Sequence, residues 1–275
     1  MKFSRFTTIE EKVHLTDKIF VLRLSCPEIA SIAKPGQFVQ LRLANYGAYL
    51  WPRPFSIHQA KDGIISLTIK RCGAITNRLS RLDKGDNVYT TGPLGNRFNI
   101  PSQWKPIYLV AGGVGLPPLH FLCETLLKNG CPAEYIHFFS GAGCADDLFA
   151  DEEIKSLGVN YILTTDDGSA GVKGFITKPL EEKIAEFINT DISQRPIIYS
   201  CGPMPMLKKI AEICSGFECY VSLEQLMPCG WGVCNGCAVK VVNRNNSAVE
   251  DERGFRLARV CKEGPMFEAS EILWE

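Results

Sequence analysis

The sequence predicts three parts in a row: an N-terminal antiparallel β-barrel over residues 1–100, an α/β domain with a parallel sheet over 101–225, and a small cysteine-rich domain over 226–275. Three textures predict them. Short runs of alternating apolar residues come first, continuous apolar runs interleaved with helical stretches follow, and cysteine and glycine crowd the end. A strand half-buried in a barrel alternates, a strand covered on both faces does not, and a tail this short cannot build a large core.

In the first part, Lys18-Ile19-Phe20-Val21-Leu22-Arg23-Leu24, Gln37-Phe38-Val39-Gln40-Leu41-Arg42-Leu43 and Ile64-Ile65-Ser66-Leu67-Thr68-Ile69-Lys70 alternate. Turn signals separate them at Lys34-Pro35-Gly36, Lys61-Asp62-Gly63 and Lys84-Gly85-Asp86-Asn87. In the second part, strands are expected at Ile107–Ala111, Tyr135–Ser140, Asn160–Thr164 and Ile197–Ser200, with helices near His120–Asn129 and Met204–Ile213. Strands alternating with helices give an open parallel sheet covered on both faces. The stretch Pro106 to Cys123 lacks Asp, Glu, Lys and Arg, but its glycines and prolines exclude a membrane span and predict a buried strand followed by a loop.

The 275 residues are 45% hydrophobic, ample for real cores, and 30 basic residues balance 30 acidic ones. A neutral chain has no electrostatic footprint for nucleic acid. No apolar leader opens the sequence, so its 12 cysteines predict a reducing, cytoplasmic setting and metal binding rather than disulfides. Cys229-Gly-Trp-Gly-Val-Cys234-Asn-Gly-Cys237 has the spacing C-x4-C-x2-C, and Cys261 follows downstream. This is the plant-type [2Fe–2S] arrangement, in which two irons need four thiolates and the backbone must wrap them closely. A four-cysteine zinc knuckle is the competing reading, but such sites pair their ligands as two C-x2-C hooks.

Arg53-Pro54-Phe55-Ser56 suits a flavin nucleotide: a forked guanidinium for a pyrophosphate, a ring to lie on a planar ring, a hydroxyl for a ring nitrogen. An arginine on a barrel rim is the plainer alternative. Ile69-Lys70-Arg71-Cys72-Gly73-Ala74-Ile75-Thr76 offers backbone amides and a hydroxyl to a phosphate before a short helix. Gly112-Gly113-Val114-Gly115 follows an apolar strand and precedes a helix, with Pro118 where a third glycine is usual. Cys201-Gly202-Pro203 repeats that design, and two such turns at parallel strand ends bound a dinucleotide crevice. Cys201 reads either as a strand-end residue or as a neighbour of a nicotinamide. No arginine in Phe139-Ser140-Gly141-Ala142-Gly143 favours a 2′-phosphate, which points to NADH. His14, His58, His120 and His137 sit alone in the sequence and read as surface or core residues, so no acid–base pair for substrate chemistry is expected.

Together, Arg53-Pro-Phe-Ser56, Gly92-Pro-Leu-Gly95, Gly112-Gly-Val-Gly115 and Cys201-Gly-Pro203, in that order, resemble the ferredoxin reductase-like flavoproteins. Ser222-Leu-Glu224 before the cysteine loop, and Arg259-Val-Cys-Lys-Glu-Gly-Pro-Met-Phe267 around the last cysteine, look most like electron-transfer subunits of class 1B dihydroorotate dehydrogenases. The resemblance implies FAD held by Arg53, Pro54, Phe55, Ser56, Ile69, Lys70, Gly73, Ile75 and Thr76. It implies NADH bound by Gly112, Gly113, Gly115, Gly202 and Pro203 and reacting near Cys201. It implies a [2Fe–2S] cluster on Cys229, Cys234, Cys237 and Cys261 that serves an FMN-containing dihydroorotate dehydrogenase catalytic subunit in a heterotetramer of two plus two. A reductase or subunit of another redox complex (oxygenase, hydrogenase or transhydrogenase) is the alternative. The chain departs from the family pattern at Ile75, where glycine is common, at Gly143, where arginine is common, and at Pro228 and Trp231. Trp231 and Phe267 are candidates for an apolar docking face near the cluster, with plain packing as the alternative for each.

Overall fold

The computed structural model describes residues 2–43, 51–242 and 254–274. Seven strands form the first sheet: β1 (Phe3–His14), β2 (Ile19–Ser25), β3 (Phe38–Leu43), β4 (Arg53–Ser56), β5 (Gln59–Lys61), β6 (Ile64–Lys70) and β7 (Asn87–Leu94), in the order β4-β3-β7-β1-β2-β6-β5 and antiparallel throughout. The two edge strands β4 and β5 are consecutive, joined only by Ile57 and His58, so the sheet must roll until its edges meet. The alternating residues Phe20, Leu22, Leu24, Val39, Leu41, Ile65 and Leu67 fill the inside. Short helices α1 (Pro27–Ala30) and α2 (Ala74–Leu79) interrupt the strands. Arg53-Pro-Phe-Ser is thus a strand, paired with β3 through Phe38↔Ser56 and Leu41↔Arg53.

The second sheet contains β8 (Ile107–Gly112), β9 (Ile136–Ala142), β10 (Asn160–Thr165), β11 (Val172–Lys173), β12 (Ile197–Cys201) and β13 (Glu218–Ser222), all parallel. Its order is β11-β10-β9-β8-β12-β13, closed by an antiparallel edge strand from the tail, β16 (Met266–Glu268). Helices α3 (Leu116–Lys128), α4 (Asp151–Ser156), α5 (Thr177–Ala185) and α6 (Met204–Ile213) accompany the strands. After β8 the chain makes a single 3-10 turn and enters α3 at Leu116, so the loop expected there is absorbed into the helix. Pro117 and Pro118 are tolerated because the amides of a first helical turn lack intrahelical partners anyway. No helix among the described residues is long and apolar enough to cross a membrane.

The tail carries a hairpin, β14 (Ala238–Val242) with β15 (Phe255–Arg259). The expectation that apolar burial contributes little here is corrected. Val241, Ala258, Val260 and Phe267 join one core with Tyr108, Val110, Ile198 and Val221 of the parallel sheet. Phe267 is 5% exposed and faces no solvent, so it is not a docking residue. The tail also grips the barrel. Gln40 Nε2 donates to Met227 O at 2.6 Å, and Asn96 Nδ2 donates to Glu263 O and Met266 O, both at 2.8 Å.

Candidate functional site

Strand order reverses between β8 and β12: β9 and β10 lie to one side of β8, β12 and β13 to the other. Open α/β sheets bind ligands at this switch point, beyond the carboxyl ends of the strands. Both glycine turns end there. They touch so closely that a Cβ on Gly115 would lie 2.0 Å from Cys201 O, and one on Gly112 would lie 2.6 Å from Met206 Sδ. These glycines are required by packing between the turns. A cavity of about 450 Å³ opens beside them, and its walls include Gly112, Gly113, Gly141, Asp166, Phe175 and Pro203.

A second cavity, of about 250 Å³, lies between the barrel and the sheet. It gathers Pro54, Phe55, Ser56, Ile69, Lys70 and Thr76 from the barrel, Cys201 from β12, and Ser222, Glu224 and Met227 from the segment before the cysteine loop. Lys70 and Val114 border both cavities, so the two spaces adjoin. The hydroxyl of Thr76 accepts from the amides of Cys72 and Gly73 at 2.9 and 3.1 Å, which shapes the turn. Ile75 points away, into the barrel core, and so leaves the turn's open side free. The exposed Arg53 guanidinium donates to the carbonyls of Trp51 and Pro52 at 3.0 and 3.2 Å. Burial pushes the Cys201 thiol well up, so it is a neutral, apolar contact. Glu224 stands at the mouth, and crowding around its carboxyl raises its pKa. The sequence singled out Glu224 only as part of a family pattern; its place in this cavity arises from β13 lying beside β12.

These surfaces fit a flavin dinucleotide: a slot with an aromatic ring and small hydroxyls at one end, a polar turn at Thr76, and the exposed Arg53 on the strand that carries Phe55 and Ser56. They also set a nicotinamide path beside it. The four cluster cysteines sort into pairs. Cys229 and Cys234 are thiol neighbours, as are Cys237 and Cys261. Among the described residues no three cysteine sulfurs lie within 4.8 Å of one another. Four thiolates on one zinc, with bonds near 2.3 Å, would all sit about 3.8 Å apart. Two pairs suit two irons. The backbone amides of Trp231, Gly236 and Cys261 each approach a ligand sulfur at 3.4 Å. Burial raises the Cys229 thiol, but hydrogen bonds from the amides of Cys234, Trp231 and Val233 and from the Cys234 side chain outweigh it, bringing it down to about 6. Gly230 and Gly232 have φ of 68° and 76°, and Arg259 Nη1 donates to Gly232 O at 2.6 Å, fastening the loop to the strand before Cys261. Cys237 and Cys261 are 1% exposed, whereas Cys229 is half-buried and Cys234 exposed.

The histidines do not all sit alone. His58 and His120 form an edge-to-face pair with centroids 4.8 Å apart, a contact that sequence distance concealed. Among the remaining cysteines, Cys214 and Cys219 also hydrogen-bond to each other, and burial helps hold the Cys219 thiol far up.

Residues 224–273 match the iron-sulfur cluster binding domain of dihydroorotate dehydrogenase B, and residues 109–212 match an oxidoreductase NAD-binding domain. A solved NADH-dependent reduced ferredoxin-NADP oxidoreductase, studied for flavin-based electron bifurcation, is 28% identical with a TM-score of 0.81, covering 98% of this chain and 90% of that one. The ferredoxin reductase of carbazole 1,9a-dioxygenase shares the fold at 19% identity and TM-score 0.68, over 80% of this chain and 69% of that one. The "Dihydroorotate dehydrogenase B (NAD(+)), electron transfer subunit" of Caldanaerobacter subterraneus subsp. tengcongensis is 35% identical over 87% of both chains. Its namesake in Fusobacterium nucleatum subsp. nucleatum is 31% identical over 96% of both. By these identities over nearly its whole length, the chain belongs to the family of dihydroorotate dehydrogenase B electron transfer subunits.

Proposed function

We infer that this chain takes electrons from NADH and delivers them singly, through FAD and a [2Fe–2S] cluster, to an FMN-containing catalytic subunit acting on the dihydroorotate/orotate couple, in an assembly of two plus two. The observation that carries the reading is continuity. The crevice, the flavin slot and the cysteine loop follow one another without a gap. Met227 lines the slot and Cys229 lies two residues on, at most about 7 Å of extended backbone away.

Flavin, when bound, accepts a hydride's two electrons together and releases them one at a time, which nicotinamide and an iron–sulfur cluster cannot do for each other. The chain's residues do the rest. Arg53 and the Thr76 turn hold the dinucleotide's phosphates, with Gly73 at the turn. Phe55, Ile69 and Cys201 bound the ring slot and exclude water, and Ser56 presents a hydroxyl. Gly112, Gly113 and Pro203 form the floor of the nicotinamide crevice, with Gly202 packed against Gly112. Asp166 in that crevice, and the absence of arginine from Phe139–Gly143, disfavour a 2′-phosphate by charge. The more exposed pair, Cys229 and Cys234, marks the exit. Leu226, Trp231 and Val233 are exposed around it, a suitable apolar docking face. None of the twelve cysteines is paired in a disulfide, in keeping with a reducing, cytoplasmic setting.

The isolated chain, loaded with cofactors under anaerobic conditions, should reduce artificial acceptors with NADH yet form no orotate from dihydroorotate. Orotate should appear when the FMN-containing subunit is added. Orotate formation by this chain alone would overturn the division of labour. The similarity to a bifurcating reductase over 98% of the chain supports a second reading, a subunit of another redox complex. Identifying the cofactor of the co-purifying partner separates the two.

A further inference from the structure

A third cavity, of about 230 Å³, lies where the rolled barrel meets the parallel sheet, away from the flavin slot. His58 enters it from the two-residue link between the edge strands β4 and β5. His120 enters from α3, and Glu153 from α4. One ring nitrogen of each histidine and a carboxylate oxygen of Glu153 lie within 4.8 Å of one another, the one such trio among the described residues.

Both imidazoles are buried, at 6% and 4% exposure. His58 Nε2 and His120 Nδ1 nevertheless have no hydrogen-bond partner among the described residues. Buried polar atoms are normally satisfied, so an orphaned nitrogen on each of two touching imidazoles calls for an explanation. His58 Nδ1 is engaged with Thr68 Oγ1 at 2.8 Å, which fixes the ring and turns Nε2 toward the cavity. Glu124, held by Gln59 at 2.9 Å, stands 3.8 Å from His120 Nδ1. Rings oriented by a second hydrogen-bonding group are the usual setting of metal-bound histidine. Arg23 borders the cavity, but Glu11 pairs with its guanidinium.

We propose that His58, His120 and Glu153 bind a divalent d-block cation, with zinc as the best fit and water completing its shell, and that this ion staples the barrel to the α/β layer. Imidazole and carboxylate suit zinc, and three protein ligands plus water is a common arrangement. Ligand atoms of a tetrahedral site stand about 3.3 Å apart, and those of the trio lie within 4.8 Å of one another, so the trio closes by at most about 1.5 Å. Glu153 is exposed on a surface helix and has the freedom to do so.

The test uses holoprotein with full FAD and iron content, passed through a chelator and then dialysed against micromolar zinc chloride. Zinc, iron and FAD are measured by mass spectrometry and absorbance. Wild type should retain about one zinc per FAD with iron unchanged, and its melting temperature should rise. Glu153→Gln, a surface change that leaves the fold intact, should weaken zinc at least about 10-fold. His58→Gln and His120→Gln should abolish retention. Absence of zinc from the wild type, or retention that Glu153→Gln leaves unchanged, would overturn the site.

Discussion

Two places in this molecule collect metal-ligand atoms, and they do so in opposite ways. The cysteine set takes three of its four ligands from one loop, Cys229 to Cys237, whose glycines fold it round the sulfurs. The His58–His120–Glu153 trio takes one ligand from a barrel link and two from separate helices. A local site can be read from spacing because a short chain closes its own loop cheaply. A dispersed site exists only once two layers have docked, so its formation reports on that docking. The first is a pattern written in the chain; the second depends on the packing around it.

The largest expected effect breaks the local site. Cys237→Ser should remove the cluster outright: iron and acid-labile sulfide fall to background, while FAD content stays near wild type. Cys201→Ser, on a buried strand end outside the quartet, should leave the iron assay unchanged and slow NADH-dependent flavin reduction, as stopped-flow absorbance would register. Equal loss of iron in both variants would erase the distinction between ligand and neighbour.

Phe267→Ala probes the docking itself. Its ring belongs to the core that joins the tail to the sheet. Its loss should cost about 3–5 kcal/mol in chemical denaturation. If stability were unchanged, the tail would be held by its metal alone. Gly115→Ala sharpens the point at the switch, since the new methyl would meet Cys201 O. About 1–3 kcal/mol of stability should go, with a raised KM for NADH.

Arg53→Ala is smaller still for the fold, because the side chain is exposed and, among the described residues, hydrogen-bonds to the carbonyls of Trp51 and Pro52. Stability should stay within about 0.5 kcal/mol, while FAD affinity falls by about 10-fold or more with the loss of charge-assisted bonds. Trp231→Ala should leave stability and cofactor content alone and weaken only the complex with the catalytic subunit, measured by sedimentation.

Much of the architecture was legible in the chain. The alternation in Ile19–Leu24 and Ile64–Lys70 announced the barrel, and the apolar runs at Ile107, Ile136 and Ile197 announced the parallel strands. The long first strand, Phe3–His14, was less visible because most of its residues are exposed or half-buried. The edge strand β16 was hidden for another reason: a three-residue strand has too few residues to show a period. Phe267 was misread for the same cause, since proximity to Cys261 in sequence says nothing about which face of an added strand it occupies. Of the candidate flavin residues, Ile75 shows the limit most clearly; its side chain belongs to the barrel core although its neighbours Cys72 and Thr76 line the slot.

The sequence by itself pointed to the cofactors, FAD, a [2Fe–2S] cluster and NADH, because cysteine spacing, glycine turns after apolar strands and the arginine strand are all patterns made within a few residues. Only the tertiary structure decided that those turns press against each other at a strand-order reversal, that the tail completes the parallel sheet, and that two distant histidines meet in a cavity. Local chemistry depends on residues within one turn or loop, whereas these three outcomes depend on how whole layers pack, and packing sums many weak contacts that no single stretch of sequence contains.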